Sequence, residues 1–217
     1  MNLSNDTVTV LKNFSTINQN LAIKSGSTIS TMSAMKNIVA KANVKETFPS
    51  DFAIYDLNEF LAVLSLHENP ELDIHKDHVI IRKDDGSDSS QYFFSDPSVV
   101  TTPQKEITMP SVEVSFKLTS NTLAQVQKAA AVVGAPDMVL ENGELKVTDK
   151  KNPTANNYRV PVDGLVVNNI TDYKFWFKVE NLKILSGSYS VDVSEKRISH
   201  FKHDKVDIEY FIAMENG

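Results

Sequence analysis

The chain contains no cysteine, which excludes disulfides, thiolate nucleophiles and sulfur-based metal sites together and fits a reducing cytoplasm. No apolar run approaches the roughly 20 residues that a bilayer-spanning helix requires. The opening stretch, MNLSNDTVTVLKNF, is polar and amphipathic, so a secretory signal, a basic patch followed by an apolar run, is not expected. Neither a Walker-type glycine-rich loop nor a Gly-x-Ser-x-Gly elbow occurs, so no nucleotide cradle or serine nucleophile is evident. Acidic pairs such as Glu68 and Glu71 flank a helix end, where solvent leaves them without the shifted acidity of catalysis. No catalytic residue and no cofactor is assigned. An excess of positive charge is missing as well: 22 Lys and Arg against 28 Asp and Glu give −6. That balance argues against a grip on nucleic acid by a generally basic surface, and leaves room for a local basic face on an acidic body.

What is present is an ordered globular composition, with 41% hydrophobic and 23% charged residues in 217. A unit of one helix and several strands recurs four times, its register set by paired turns: Ser25-Gly26 with Lys36-Asn37, Asp77-His78 with Asp85-Gly86, Asn142-Gly143 with Asn156-Asn157, and Glu195-Lys196 with Asp204-Lys205. Turns at this spacing join antiparallel strands into hairpins, and a repeat of this size decides the architecture. The expected fold class is α+β, in two similar domains, 1–108 and 109–217, each with two strand-helix-three-strand units. The stretch from about 95 to 108, with Pro97 and Pro103 and no helical period, reads as an extended connector.

The first helix is expected from Ser4 toward Asn18 or Asn20, with Val10, Leu11, Phe14 and Ile17 on its core face and Asn5, Thr9, Lys12 and Thr16 opposite. The second starts at Asp56, with Glu59 in a variant capping box, buries Leu57, Phe60, Leu61 and Leu64, and stops at Asn69-Pro70. The third runs from Ser120-Asn121 to Gly134-Ala135-Pro136, with Leu123, Val126, Ala130 and Val133 inward and Lys128 outward. A short fourth is expected over Glu180 to Leu185. Strands are expected at Phe52–Tyr55, Val114–Leu118 and Phe175–Val179, and Val206, Ile208, Tyr210, Ile212 and Met214 alternate as one core-facing strand face.

Three segments carry a family resemblance: Leu3-Ser4-x-Asp6-Thr7-x-x-x-Leu11-Lys12-Asn13-Phe14-x-x-Ile17-Asn18, Tyr55-Asp56-Leu57-Asn58-x-Phe60-Leu61-x-x-Leu64-Ser65-Leu66, and Tyr210-x-Ile212-Ala213-Met214-Glu215. In order and spacing they resemble the DNA polymerase sliding clamps of T-even-type tailed bacteriophages. The resemblance implies the DNA-clamp fold in a homotrimeric ring, with helices lining the hole and sheets outside. It further implies a processivity factor that encircles duplex DNA irrespective of sequence and tethers the viral replicative polymerase in the cytoplasm of the infected bacterial host. An ATP-dependent clamp loader and a late-transcription coactivator or sigma-like factor are implied partners, and no membrane.

On this resemblance the DNA-facing set is Lys12, Lys128 and Lys183, with the polar Asn5 and Thr16. Asn2 and Asn5 stand where basic residues are expected, so the hole is less positive than in relatives. A hydrophobic groove for partner peptides beside the connector would draw on Val99, Val100, Met109 and Val112. The plainer reading of each lysine is a solvated helix face, and of each apolar residue a pin for the connector. No metal is expected: Asp84-Asp85-Gly86-Ser87-Asp88 lacks the downstream glutamate of a calcium loop and suits a hairpin turn, and His75 with His78, or His200 with His203 and Asp204, suit surface clusters. A β-rich viral structural protein that self-assembles without DNA function is the reading from a different class.

Overall fold

A computed structural model describes residues 1–83 and 85–216. By internal contacts the chain divides into two units, Met1–Lys105 and Glu106–Gly217. The first contains α1 (Asn5–Ile17), β1 (Leu21–Ile23), β2 (Gly26–Met32), β3 (Ile38–Phe48), β4 (Phe52–Ile54), α2 (Leu57–Leu64), β5 (Glu71–Ile74), β6 (His78–Arg82) and β7 (Ser89–Phe93). Its pairings are antiparallel: β1 with β4, β2 with β3, and β5-β6-β7 as a small sheet.

The caps of α1 and α2 are those the sequence predicts. Ser4 Oγ accepts the Thr7 amide at 3.3 Å, and one Asp56 carboxylate oxygen accepts the amides of Asn58 and Glu59 at 2.9 and 3.1 Å. Val10, Leu11, Phe14 and Ile17 are buried along α1, as are Leu57, Phe60 and Leu64 along α2. Leu61, expected in the core, is half-buried. The second helix ends at Leu64, short of Asn69-Pro70. Ser65 Oγ turns back to the Ala62 carbonyl, and the amides of Leu66 and His67 bond only three residues back. Beyond that point His67 is drawn away from the helix axis: its buried ring bonds Asp88 through Nδ1 at 3.0 Å and Ser90 through Nε2 at 2.8 Å.

The second unit contains β8 (Val114–Leu118), α3 (Ser120–Val133), β9 (Asp137–Glu141), β10 (Glu144–Thr148), β11 (Tyr158–Pro161), β12 (Asp163–Val167), β13 (Phe175–Lys178), β14 (Tyr189–Ser194), β15 (Ile198–His203) and β16 (Ile208–Ala213). One sheet runs β11-β10-β9-β13, and a second includes β12-β8-β14-β15-β16. The β9–β10 hairpin turns on Asn142 and Gly143, both at positive φ (51° and 76°), the two-residue turn that suits strand twist. Thr119 caps α3, and Gly134 closes it in the left-handed conformation at φ 64°. Ile208, Tyr210, Ile212 and Met214 are buried on one face of the last strand and its continuation, and Val206 is half-buried.

Two features depart from the sequence reading. The fourth helix is absent: only a 3-10 turn, Val179–Asn181, stands there, and residues 182–187 run without helix. Tertiary hydrogen bonds replace the helical ones, since the Tyr210 hydroxyl accepts the Leu185 amide at 3.1 Å while the Tyr189 hydroxyl donates to the Leu185 carbonyl at 2.6 Å. Burial pushes both phenols above their usual acidity range, so both hydroxyls keep their protons. Strand β12 is the other surprise, an extra strand paired with β8 across an irregular register, with Leu165, Val166 and Val167 exposed.

Several strands pair on one side only. In the first unit β7 ends its sheet, whereas the opposite margin, β5, is covered by the amino terminus, with the Leu72 amide bonded to the Met1 carbonyl at 2.7 Å. In the second unit β11 and β12, separated by one residue, each end a sheet. Such margins carry unsatisfied backbone donors and acceptors and invite a further strand.

Candidate nucleic-acid and partner surfaces

On α1 the residues opposite the core, Asn5, Thr9, Lys12 and Thr16, are all exposed. Two of them are internally occupied: Thr9 Oγ1 donates to the Asn5 carbonyl at 2.8 Å and Thr16 Oγ1 to the Asn13 carbonyl at 2.7 Å. Their hydroxyl protons are spent on the helix, so Lys12 and the Asn5 amide are the donors this face offers an anion. Asp6, the acid of the first turn, is matched by Lys45 Nζ at 2.6 Å. Glu46 reaches from β3 to the start of α1, where its carboxylate accepts the Ser4 amide and the Thr7 hydroxyl. Burial alone would raise this carboxyl, but the bonds from Thr7 and Ser4 outweigh it and leave it below the usual carboxylate range.

α2 carries no cation and presents Glu59; α3 carries one, the exposed Lys128. Lys183 is exposed too, on the non-helical segment. Helical faces with so few lysines cannot bind a phosphate backbone tightly by charge alone.

The connector is pinned within the first unit. Buried Asn18, one residue beyond α1, donates through Nδ2 to the carbonyls of Met32 at 2.8 Å and Thr101 at 3.3 Å, while the Thr101 amide bonds Asn20 Oδ1 at 2.9 Å. Asp96 caps a 3-10 turn over Pro97–Val99. Val100 is buried and Val99 is 56% exposed. Met109 and Val112 belong to the second unit and are half-buried. Met35, which sequence reasoning did not single out, is 83% exposed on the β2–β3 turn, three residues beyond the Met32 carbonyl that Asn18 holds. A methionine at a hairpin tip, where polar residues are usual, was the available signal.

The acidic turn after β6 behaves as a turn. Asp84 lies outside the described residues; Asp85 accepts the Ser87 amide at 2.9 Å, and bonds from Ser87, helped by Lys83, pull its carboxyl down to about 2. His75 and His78 stack on each other, His200 bonds Glu209, and His203 accepts the amides of Lys205 and Val206 through Nδ1. Among the described residues no three metal-ligating side chains are grouped to hold an ion.

Residues 4–102 match the profile of the DNA polymerase processivity factor family. Over 99% of its length the chain is 33% identical to the sliding clamp of Vibrio phage KVP40, covering 99% of that protein. It is 30% identical to the sliding clamp of Escherichia phage RB69 and 29% identical to that of Enterobacteria phage T4, covering 97% of each. The chain belongs to the sliding-clamp family of T4-like bacteriophages. Its fold is shared more widely. The proliferating cellular nuclear antigens of Entamoeba histolytica and Thermococcus kodakaraensis superpose with TM-scores of 0.67 and 0.70 at 14% identity, over 97% of this chain and 95% and 96% of theirs. This clamp is therefore a polymerase processivity factor of phage DNA replication, and the sparse lysines of α1 and α3 are to be weighed in that light.

Two further surfaces of the clamp escaped sequence reasoning. Leu66, beside α2, and Phe93, at the end of β7, are 70% and 64% exposed. In the second unit, between the end of α3 and the 3-10 turn that follows β13, a groove of about 430 Å³ is lined by Ala130, Ala131, Ala135, Pro136 and Val179 together with Gln127, Lys178 and Glu180, with exposed Val132 nearby on the helix. Exposed apolar side chains of this kind are candidate interaction surfaces, and no periodicity points to them because each departs from its element's pattern.

Proposed function

We propose that this clamp closes as a ring of three copies around duplex DNA and tethers the viral replicative polymerase without catalysing a reaction. The observation that carries this reading is the pair of free strand margins, β7 in one unit and β11–β12 in the other. Joined head to tail, they form a heterologous contact that repeats, and such contacts make a ring when the rotation closes. Leu66 and Phe93 flank one margin, and the exposed Leu165, Val166 and Val167 lie along β12 at the other, so strand pairing buries both. Enclosure makes dissociation depend on ring opening, so contacts to phosphate remain few and sequence-blind. The −6 charge of each copy supports this, because an acidic body discourages adhesion while Lys12, Lys128 and Lys183, with Asn5, face the hole.

Client peptides dock at the pinned connector, where Val99 and Met35 offer exposed apolar surface around the Asn18 clasp. Family membership supports extending the proposal to loading by an ATP-dependent loader, a second role with a late-transcription coactivator or sigma-like factor, and action in the cytoplasm of the infected host. The test is retention after loader-driven assembly on nicked circular DNA. A ring stays on the circle at high salt and slides off once the DNA is linearised, and Lys12→Glu with Lys128→Glu weakens loading. Equal loss from circular and linear DNA, or assemblies much larger than a trimer, would overturn the reading in favour of a structural protein.

A further inference from the structure

The last strand margin of the second unit, β13, is covered by the chain's own tail. β13 pairs with β9 on one side. On the other, a single bridge joins Trp176 to Glu215, with the Glu215 amide donating to the Trp176 carbonyl at 2.9 Å. Asn216 then receives two cations: Lys150 Nζ donates to its backbone carbonyl and Arg197 Nη1 to its side-chain oxygen. Lys150 Nζ also stands 5.1 Å from the centre of the Trp176 ring, and Lys174 Nζ, which pairs with Glu141 at 3.1 Å, stands 5.5 Å from it. Beneath the tail is a cavity of about 220 Å³ with Tyr173, Phe175, Trp176 and Met214 among its walls.

The tail is a light cover. Glu215 and Asn216 are exposed, and among the described residues one backbone bond holds them to β13 and the hydrogen bonds of the two cations go to neutral amide oxygens. A carboxylate in that place would add charge–charge attraction to hydrogen bonds whose donors are already cationic. Asp172 and Glu195 line the cavity itself, together with Lys174 and Arg197, so the acid of a partner belongs where Asn216 lies and not in the cavity.

We propose that the β13 margin is a peptide-docking strip held closed by residues 215–216. It opens to an extended segment of a partner protein that adds as a strand beside Trp176 and sets a carboxylate between Lys150 and Arg197. The tail occupies the strip in the resting clamp, so partner binding competes with it. All the groups lie in the second unit, and the inference stands whether or not the ring reading holds.

The test uses the full chain, a variant ending at Met214, and a Glu215→Pro variant that removes the bridging amide without shortening the chain. Trp176 is the only tryptophan, so its fluorescence reports occupancy directly. The probes are two labelled peptides, Ile-Ala-Met-Glu-Asp and the chain's own sequence Ile-Ala-Met-Glu-Asn. The Asp peptide is expected to bind the tail-free and Glu215→Pro proteins at least tenfold more tightly than the full chain. It should shift Trp176 emission, exceed the Asn peptide several-fold, and lose binding with Lys150→Ala and Arg197→Ala together. Equal binding to full and opened chains, or binding indifferent to those two substitutions, overturns the proposal. Equal affinity for the two peptides overturns the acidic partner in favour of tail exchange between copies.

Discussion

Replacing Leu66 and Phe93 by lysine tests the proposed junction without touching the core. A phenylalanine removes about 200 Å² from water when fully buried. The 64% of Phe93 that is exposed in the single chain therefore leaves about 130 Å² to be covered by a neighbour, worth about 3 kcal/mol at about 25 cal/mol per Å². Leu66, 70% exposed, adds about 1.5 kcal/mol on the scale of about 2 kcal/mol for a buried leucine. Together they supply about 4.5 kcal/mol per junction, about two-thousandfold in its dissociation constant. Sedimentation across a dilution series should show the double variant as a monomer at concentrations where the natural chain still sediments as the proposed trimer, with an unchanged circular dichroism spectrum. A double variant that stays assembled at every dilution would refute the assignment of these side chains to the junction.

Gly187→Ala should destabilise the second unit, because a Cβ there would sit inside the imidazole of His203. Overpacking of this kind costs about 1–3 kcal/mol, seen as a fall of several degrees in Tm, and an unchanged Tm would contradict the close approach. Glu46 should make the first unit acid-sensitive. Its folded carboxyl lies below the usual 4.5, so its stabilisation is complete above that value and is lost as pH falls through the lower, folded one. In denaturant melts taken from about pH 7 to about pH 3, Glu46→Gln should be less stable by about 1–3 kcal/mol at neutral pH and should lose that part of the acid dependence. A variant that keeps the natural pH profile would show that Glu46 is not the group titrating.

Much of the fold was legible locally. Ser4, Asp56 and the Gly134-Ala135-Pro136 stop each act within a turn of their own helix, and Asn142-Gly143 dictates its hairpin by backbone preference alone, so these limits follow from neighbours in the chain. The segment after Val179 failed the same treatment because its competitors are remote: Tyr210 lies 25 residues from Leu185, and its hydroxyl outbids a weak helix for that amide. Among the surface residues, Lys12 and Lys128 were found because helical periodicity places them opposite buried stripes. Met35, Leu66, Phe93 and Val132 were not, since an exposed apolar side chain breaks the pattern that sequence reading relies on.

The amino-acid order alone therefore determined the turns, the amphipathic faces of α1 and α3 and membership of the clamp family, all of which rest on interactions within a few residues or on linear motifs. Tertiary structure decided which strand margins stay open, how Glu46 reaches α1 across a separation of 42 residues to Ser4, and where Asn18 fastens Thr101, 83 residues away. Those outcomes depend on which distant groups folding brings within hydrogen-bonding reach, and spacing along the chain carries no measure of that distance.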